Sequence, residues 1–241
     1  MYIAIEGVIG VGKTSLARLL QAAFSAEVLL EVFEENPFLS DFYSDRARYA
    51  FQTQIFFLLS RYHQQRRAAP EALAKGTLIA DYTFAKDALF ARINLTGDEL
   101  ELYRRLHDAL ADKIPRPDLI VYLRAPTDLL MRRIALRGRS YERQMERAYI
   151  EDLNRAYDDF FGGHSQSPVL VLDAETLDFV HNPADLELVI ACIREKLGLG
   201  AYQAPLPLGD SPSPNDSTLS GDPTGRSRRG VVRGEGRGAG A

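Results

Sequence analysis

A glycine-rich segment near the N-terminus carries residues of the types that bind phosphate. Residues 7–14 match the pattern G-x-x-x-x-G-K-[ST], between a strand-like run and an amphipathic stretch; the matching residues are Gly7, Gly12, Lys13 and Thr14, with a further glycine at Gly10. The glycines let successive backbone N–H groups surround a polyphosphate, and the following helix N-terminus adds partial positive charge. Lys13 is expected to reach the β and γ phosphates, and Thr14 to ligate Mg²⁺. The pattern predicts a triphosphate site but leaves the acceptor open: water, a hydroxyl or a phosphate.

A carboxylate at the end of a second predicted strand is a candidate general base. Glu31 lies in the run VLLEVF at 28–33. In a doubly wound sheet, ligands bind beyond the carboxyl ends of the strands, so Glu31 can share a crevice with the phosphate loop. A carboxylate there can accept the proton of an attacking hydroxyl. Taken alone, a glutamate at a strand end is more often a solvated surface acid than a catalytic base.

The elements that must position these residues alternate along the chain. Runs rich in aliphatic and β-branched residues predict five buried parallel strands at 2–7, 28–33, 77–82, 118–125 and 168–174. Stretches with apolar residues at helical spacing lie between them, at 13–24, 47–65, 98–113 and 140–161. Strands that alternate with helices predict an α/β fold with a doubly wound parallel sheet.

Composition narrows the class of ligand and of compartment. The chain has 241 residues, 46% hydrophobic, and a net charge of −4 with its basic residues dispersed, which favours a small-molecule ligand over nucleic acid or a membrane surface. No apolar run is long enough to span a membrane, and no signal-peptide pattern is visible, so we expect a cytoplasmic protein. The single cysteine, Cys192, lies in an apolar helical stretch and is predicted to be an inert core thiol.

Composition also predicts where the folded domain ends. Residues 205–241 are rich in Gly, Pro and Arg and poor in large apolar side chains, too poor to offset the entropy of ordering the segment. We therefore predict one domain over 1–200, followed by a disordered tail over 205–241.

Several segments together resemble the deoxyribonucleoside kinase family, especially its bacterial deoxyadenosine and deoxyguanosine kinases. They are the phosphate loop, Glu31 with the following VFEENPFL (32–39), Tyr43 with Gln54 and Arg61 at the family's spacing, and the R-G-R-x-x-E pattern of 137–142. The resemblance spans roughly residues 1–197. It implies the three-layer P-loop NTPase fold, with strand order 2-3-1-4-5, helices on both faces of the sheet and an arginine-rich lid. It also implies ATP as phosphate donor, Mg²⁺, and a homodimer formed through helices around 46–66 and 84–113.

The resemblance assigns roles on the acceptor side. Glu31 is the expected general base on the sugar 5′-hydroxyl, Tyr43 the partner of the 3′-hydroxyl, and Gln54 the reader of the base edge. Asp87 is expected to pair with Arg61 and to face the base, although a plain structural ion pair has the same sequence signature.

The resemblance also assigns roles on the donor side. Arg137 and Arg139 are expected to bind the phosphates from a lid that follows an amphipathic helix, and Glu142 to bind the 3′-hydroxyl. Arg133 is expected to line the nucleotide, and Phe179 to pack around adenine. Asp81 is expected to assist Mg²⁺. At the position after this acid, many family members have an arginine, whereas this chain has Tyr82. The role of that arginine is therefore unassigned here, and Lys86 is a candidate to supply its positive charge.

The implied reaction is transfer of a phosphoryl group from ATP to the 5′-hydroxyl of a deoxyribonucleoside. An amide at Gln54 pairs with adenine or cytosine in one orientation and with guanine or thymine in the other. Asp87 favours an amino group over a carbonyl, and guanine-preferring members of the branch often carry an acid at the glutamine position. Deoxyadenosine is therefore the predicted substrate, with deoxyguanosine or deoxycytidine as alternatives. A nucleoside monophosphate kinase and a non-catalytic nucleotide-binding module are weaker alternatives.

Overall fold

The computed structural model describes residues 1–163 and 167–200 of the chain. The tail predicted over 205–241 lies outside the described residues and stays a prediction.

Five parallel strands form one sheet, and their order confirms the predicted fold class. The strands are β1 (Tyr2–Glu6), β2 (Ala26–Leu29), β3 (Thr77–Ala80), β4 (Leu119–Arg124) and β5 (Val169–Asp173). They are arranged β2-β3-β1-β4-β5. The central strand β1 pairs with β3 on one side, with Ile3 opposite Ile79, and with β4 on the other, with Ile3 opposite Leu119.

Within the described ranges, eight helices connect and cover the strands. They are α1 (Lys13–Phe24), α2 (Leu39–Ser44), α3 (Arg46–Lys75), α4 (Lys86–Asn94), α5 (Gly97–Ala111), α6 (Thr127–Arg137), α7 (Arg147–Gly162) and α8 (Pro183–Lys196). No helix in residues 1–163 and 167–200 is both long and apolar enough to cross a membrane.

Alternation along β1 places a hydrophobic layer on each face of the sheet. Ile3 and Ile5 belong to the larger buried cluster, whereas Tyr2 and Ala4 belong to a smaller cluster completed by the C-terminal half of α3, including Ala69. Because successive side chains of a strand point to opposite faces, both faces are covered, as the three-layer prediction requires.

The second strand is shorter than predicted. The sequence predicts a strand over 28–33, but β2 ends at Leu29. The ladder closes with the Asp81 N–H donating to the Leu29 carbonyl at 3.2 Å, and the next amide, that of Glu31, bonds to the Asp81 side chain instead. Glu31 therefore lies in a loop two residues beyond the strand rather than at its end.

The lid region also differs from its prediction. Arg137, predicted to follow a helix, is the last residue of α6, and the helix ends where Gly138 adopts φ 67°. The helical spacing predicted over 140–161 is correct only from Arg147 onward, where α7 begins. A short 3₁₀ turn, Ser140–Glu142, comes first because the left-handed glycine and the extended Arg139 redirect the chain.

Cys192 lies on α8 and is partly buried against the main core. This placement agrees with the expected core thiol.

Candidate active site

The phosphate loop between β1 and α1 has a backbone that only glycine accommodates at two positions. Gly7 has φ 148°, and a Cβ there would lie 2.5 Å from the Leu123 carbonyl oxygen; Gly10 has φ 86°, and a Cβ would lie 2.9 Å from a side-chain carbon of Ile134. Gly12, at φ 110°, immediately precedes α1. The loop therefore presents its backbone to the cavity at the N-terminus of a 12-residue helix.

Lys13 folds back over this loop. Its Nζ donates to the carbonyl oxygens of Gly7 at 2.8 Å and Val8 at 3.2 Å. Burial lowers the pKa of Lys13 to about 8, repulsion from Lys86 adds to the shift, and nearby carboxylates oppose it. The ammonium group donates to neutral carbonyl oxygens in this structure, and a bound polyphosphate would give it a negatively charged partner.

Thr14 and Asp81 place two oxygen donors beside the loop. The Thr14 hydroxyl donates to Asp81 Oδ2 at 2.5 Å, and Asp81 Oδ1 accepts from the Glu31 N–H at 2.7 Å. Hydroxyl and carboxylate oxygens suit Mg²⁺, which usually takes one or two protein ligands and completes its shell with water and phosphate. Among the described residues, no group of three or more His, Cys, Asp or Glu side chains is arranged to hold a metal ion, and this pair fits Mg²⁺ bound together with a nucleotide.

Glu31 is held by two cations. Its Oε1 accepts from Arg61 Nε at 2.9 Å and also from Arg61 Nη2, and its Oε2 accepts from Lys86 Nζ at 2.6 Å. Burial raises the pKa of Glu31, but the charges of Arg61 and Lys86 outweigh burial and hold that pKa well below its usual range. The side chain is therefore an ionised carboxylate, the form that a proton acceptor needs.

Two cavities meet at Glu31. The larger, of about 640 Å³, runs from the phosphate loop past Arg133 to Phe179; the smaller, of about 130 Å³, runs from Glu31 to α3 and Tyr43. The residues lining both are Gly10, Lys13, Thr14, Glu31, Phe33, Asp81, Arg137 and Arg139. We call the larger cavity the donor cavity and the smaller cavity the acceptor cavity. A group that passes between them must pass Glu31, Lys13 and the lid arginines.

The α3 face toward the acceptor cavity carries a buried amide and a buried ion pair. Gln54 and Arg61, seven residues apart, both line the cavity, and within the described part of the chain the buried Gln54 Oε1 has no hydrogen-bond partner. Arg61 Nη1 forms an ion pair with Asp87, which is fully buried at the start of α4. A ligand group that donates a hydrogen bond would satisfy the Gln54 oxygen.

The far side of the acceptor cavity brings Tyr43 and Glu142 together. Both line it, and the Tyr43 ring stacks on Tyr141 with centroids 6.1 Å apart. Burial, reinforced by the nearby Tyr149 and Glu142, raises the pKa of Tyr43 well above its ordinary value, so its hydroxyl stays a donor. Glu142 accepts from Arg137 Nε at 3.1 Å and Nη2 at 2.5 Å, and Arg139 Nη1 lies 3.7 Å away. The lid arginines thus face the junction of the cavities while paired with Glu142.

Arg133 and Phe179, the residues expected to contact the nucleotide, both line the donor cavity. Arg133 donates to the Val11 carbonyl at 2.9 Å and to the Ala174 carbonyl at 3.2 Å, which ties α6 to the phosphate loop. The Phe179 ring would lie 3.4 Å from a Cβ at Gly12, so it packs directly on the loop.

The position after Asp81 does not point into either cavity. Tyr82 is fully buried, and its hydroxyl donates to Gln64 Oε1 at 2.6 Å. Lys86, by contrast, reaches Glu31. Lys86 and Arg61 therefore supply positive charge at the Glu31 carboxylate, and residue 82 supplies none.

Sequence reasoning missed several residues of the acceptor cavity. Its walls include Phe57, Phe90, Tyr141, Tyr149 and Tyr157. Aromatic residues at helical spacing have the same signature as core residues, so no pattern distinguished them. Gln64 lies outside both cavities but donates to the Leu30 carbonyl beside Glu31, and it was missed as well, although its position three residues after Arg61 on α3 is a usable signal.

The molecule combines a parallel sheet of this order with a phosphate loop that carries a lysine and a threonine. It also has an ionised carboxylate that faces a separate acceptor cavity. Together these features define a P-loop phosphotransferase. Comparison with known proteins narrows the class. A family model described as deoxynucleoside kinase matches residues 3–197. The chain therefore belongs to the deoxynucleoside kinase family and is a kinase.

Individual relatives agree with the family. The deoxyguanosine kinase of Bacillus subtilis (strain 168) is 37% identical over 199 residues, covering 80% of this chain and 96% of that protein. The deoxyadenosine kinase of Dictyostelium discoideum is 32% identical over 219 residues, covering 89% and 87%. A solved structure of deoxyadenosine kinase from M. mycoides, with the products dCMP and dCDP bound, has a TM-score of 0.71 and 27% identity, covering 81% of this chain and all of that chain.

Proposed function

We propose that this kinase transfers the γ-phosphoryl group of ATP, bound with Mg²⁺, to the 5′-hydroxyl of deoxyadenosine. The observation that carries the proposal is the meeting of the two cavities at the Glu31 carboxylate, with the unpartnered Gln54 amide oxygen at the other end of the acceptor cavity.

The donor cavity supports a nucleoside triphosphate as phosphate donor. The phosphate-loop amides and Lys13 hold the polyphosphate, Arg133 and Phe179 border the remainder of the nucleotide, and the volume of about 640 Å³ suits a ligand of this size. Thr14 and Asp81 are the residues that would hold Mg²⁺. When bound, this ion offsets negative charge on the phosphates.

The acceptor chemistry rests on Glu31. A 5′-hydroxyl placed between Glu31 and the phosphate loop would give its proton to the carboxylate as its oxygen bonds to phosphorus and the bond to the ATP β-phosphate oxygen breaks. Oε1 accepts two hydrogen bonds from Arg61, whereas among the described residues Oε2 accepts from Lys86 alone, so Oε2 can accept a second hydrogen bond, from the hydroxyl. Arg137 and Arg139 line both cavities and are positioned to neutralise charge on the transferring group.

The sugar site favours a deoxyribose. Tyr43 and Glu142 lie together on the far wall, where a hydroxyl donor and a carboxylate acceptor suit the 3′-hydroxyl. The acceptor cavity has a volume of only about 130 Å³, so the aromatic walls leave little room for a 2′-hydroxyl. Adenosine should therefore be a poorer acceptor than deoxyadenosine.

The base assignment rests on Gln54 and Asp87. Adenine presents a donor at N6 beside an acceptor at N1, which an amide matches with its oxygen and its nitrogen. Guanine presents a carbonyl in place of the amino group. Asp87 does not line the acceptor cavity, but it pairs with Arg61, which does, and its negative charge disfavours a nearby carbonyl. Cytosine presents the same pair of groups as adenine, and relatives of this chain are described as deoxyguanosine kinases and as a deoxyadenosine/deoxycytidine kinase. Deoxyguanosine and deoxycytidine therefore remain the alternatives.

A homodimer stays part of the proposal. Leu59 on α3 and Leu102 and Leu106 on α5 are apolar and 40–53% exposed, and α3 packs against α5. These two helices overlap the ranges expected at a dimer interface from the family resemblance. Light scattering on the purified chain would show twice the monomer mass.

One assay tests the substrate proposal. Coupled ADP release is measured with MgATP and each of the four deoxynucleosides, with adenosine as a fifth acceptor. We expect the highest kcat/KM for deoxyadenosine and a lower value for adenosine. Higher kcat/KM for deoxyguanosine would overturn the base assignment, and no nucleoside-dependent ADP release would overturn the acceptor chemistry.

A further inference from the structure

The peptide unit that precedes Glu31 is clamped at both ends by side chains. The Glu31 N–H donates to Asp81 Oδ1 at 2.7 Å, and the Leu30 carbonyl accepts from Gln64 Nε2 at 2.7 Å. These two groups belong to one planar peptide, so both of its hydrogen-bonding groups have fixed partners. The peptide lies just beyond the end of β2, where the backbone ladder no longer holds it.

Tyr82 determines which way the Gln64 amide points. Its hydroxyl donates to Gln64 Oε1 at 2.6 Å, so the opposite end of that amide, the Nε2 group, faces Leu30. Tyr82 is fully buried, and burial raises the pKa of its hydroxyl, which therefore keeps its proton at neutral pH and can donate it in a hydrogen bond. A tyrosine here supplies a rigid donor from the end of β3.

Two successive residues after β3 therefore hold one peptide from opposite sides. Asp81 binds the N–H directly, and Tyr82 reaches the carbonyl through Gln64. Gln64 also follows Arg61 by three positions on α3, and Arg61 binds the Glu31 carboxylate. The same helix surface thus fixes both the backbone and the side chain of Glu31.

We propose that Gln64 and Tyr82 are positioning residues for the Glu31 carboxylate. This inference rests on the proposed function of Glu31 as general base. Neither residue lines the acceptor or the donor cavity, so they act through the Leu30–Glu31 peptide and not on a substrate. A released peptide can rotate and move the carboxylate away from the 5′-hydroxyl, and small displacements of this kind lower the rate of transfer more than they weaken binding.

The test uses Tyr82→Phe and Gln64→Leu in the full chain, with single-turnover transfer, kcat, both KM values and Tm as readouts. Tyr82→Phe retains the ring, which lies 5.8 Å from Lys86 Nζ, and removes only the hydroxyl. We expect each variant to lower kcat, by about tenfold for Gln64→Leu, with both KM values unchanged. The double variant should be no slower than Gln64→Leu, because both changes break one chain of contacts.

Tyr122→Phe is the matched control. Tyr122 is another buried tyrosine with one hydrogen bond, 2.8 Å to Asp158 Oδ1, and it lines neither cavity. We expect both Tyr122→Phe and Tyr82→Phe to have a lower Tm than the wild type, but Tyr122→Phe to retain wild-type kcat. If Gln64→Leu fails to fold, Tyr82→Phe alone decides.

The outcomes separate this inference from the function on which it rests. If Glu31→Gln is inactive but Tyr82→Phe has wild-type kcat, the positioning role is wrong and the proposed base stands. Losses that multiply in the double variant, or a change confined to KM, also overturn the positioning role. If Glu31→Gln is fully active, the proposed base itself is wrong.

Discussion

Proton uptake by Lys13 should accompany ATP binding. Burial lowers the pKa of Lys13 to about 8 in the structure, where its ammonium group donates to the loop carbonyls of Gly7 and Val8. Bound phosphates favour the charged form, so the pKa rises on binding and the lysine takes up a proton. Protonated Lys13 is the form that binds, and raising the pH through its free-state pKa therefore weakens binding.

The size of the effect follows from the pKa. If only the charged form binds, the apparent Kd grows as 1 + 10^(pH − pKa), which weakens ATP binding about tenfold between roughly pH 7 and pH 9. At about pH 8, half of the free enzyme lacks the proton, so binding should take up about half a proton.

Isothermal titration calorimetry measures both quantities with a non-hydrolysable ATP analogue. Titrations in buffers of different ionisation enthalpy give the number of protons taken up. Lys86→Met removes the positive charge that helps lower the Lys13 pKa, so it should move the transition to higher pH. A Kd that does not change over this pH range, with no proton uptake, would refute the reasoning.

Two further predictions concern the acceptor side. Gln54→Glu should shift the ratio of kcat/KM for deoxyguanosine to that for deoxyadenosine upward by about tenfold or more, because a carboxylate accepts from guanine N1–H and repels adenine N1. Gln52→Glu, an exposed change on the same helix, is its control, and an unchanged ratio for Gln54→Glu would count against the base assignment. Lys86→Met should raise the pKa of Glu31, since one of the two cations that hold it down is lost, and move the acidic limb of the kcat/KM profile to higher pH. An acidic limb at the wild-type position would show that Lys86 does not act on Glu31.

The sequence predicts most of the fold and the donor side because those features depend on local rules. A phosphate loop limits its residue types so strongly that Gly7, Gly12, Lys13 and Thr14 could be placed from the pattern alone. The sheet order followed from the family resemblance, and the alternation of Ile3 with Ala4 between two core layers follows from the period of a strand.

The acceptor side was less predictable, because it depends on contacts between distant segments. The prediction that β2 reaches residue 33 was wrong because the Asp81 side chain, fifty positions away, takes the ladder bond of Glu31. Similarly, the Tyr82–Gln64 contact joins residues eighteen positions apart, and neither residue type specifies the other. Aromatic lining residues such as Phe57 and Phe90 look like core residues until the cavity is known.

The central claim is that Glu31 accepts the proton of the acceptor hydroxyl. Glu31→Gln retains the size of the side chain and removes its basicity, while Glu35→Gln is a matched change at an exposed acid four residues later. The decisive measurement is the single-turnover rate of phosphoryl transfer to deoxyadenosine, together with the Kd for ATP. The account predicts a rate at least about 100-fold lower for Glu31→Gln with ATP binding retained, and a wild-type rate for Glu35→Gln. A wild-type transfer rate in Glu31→Gln would contradict it.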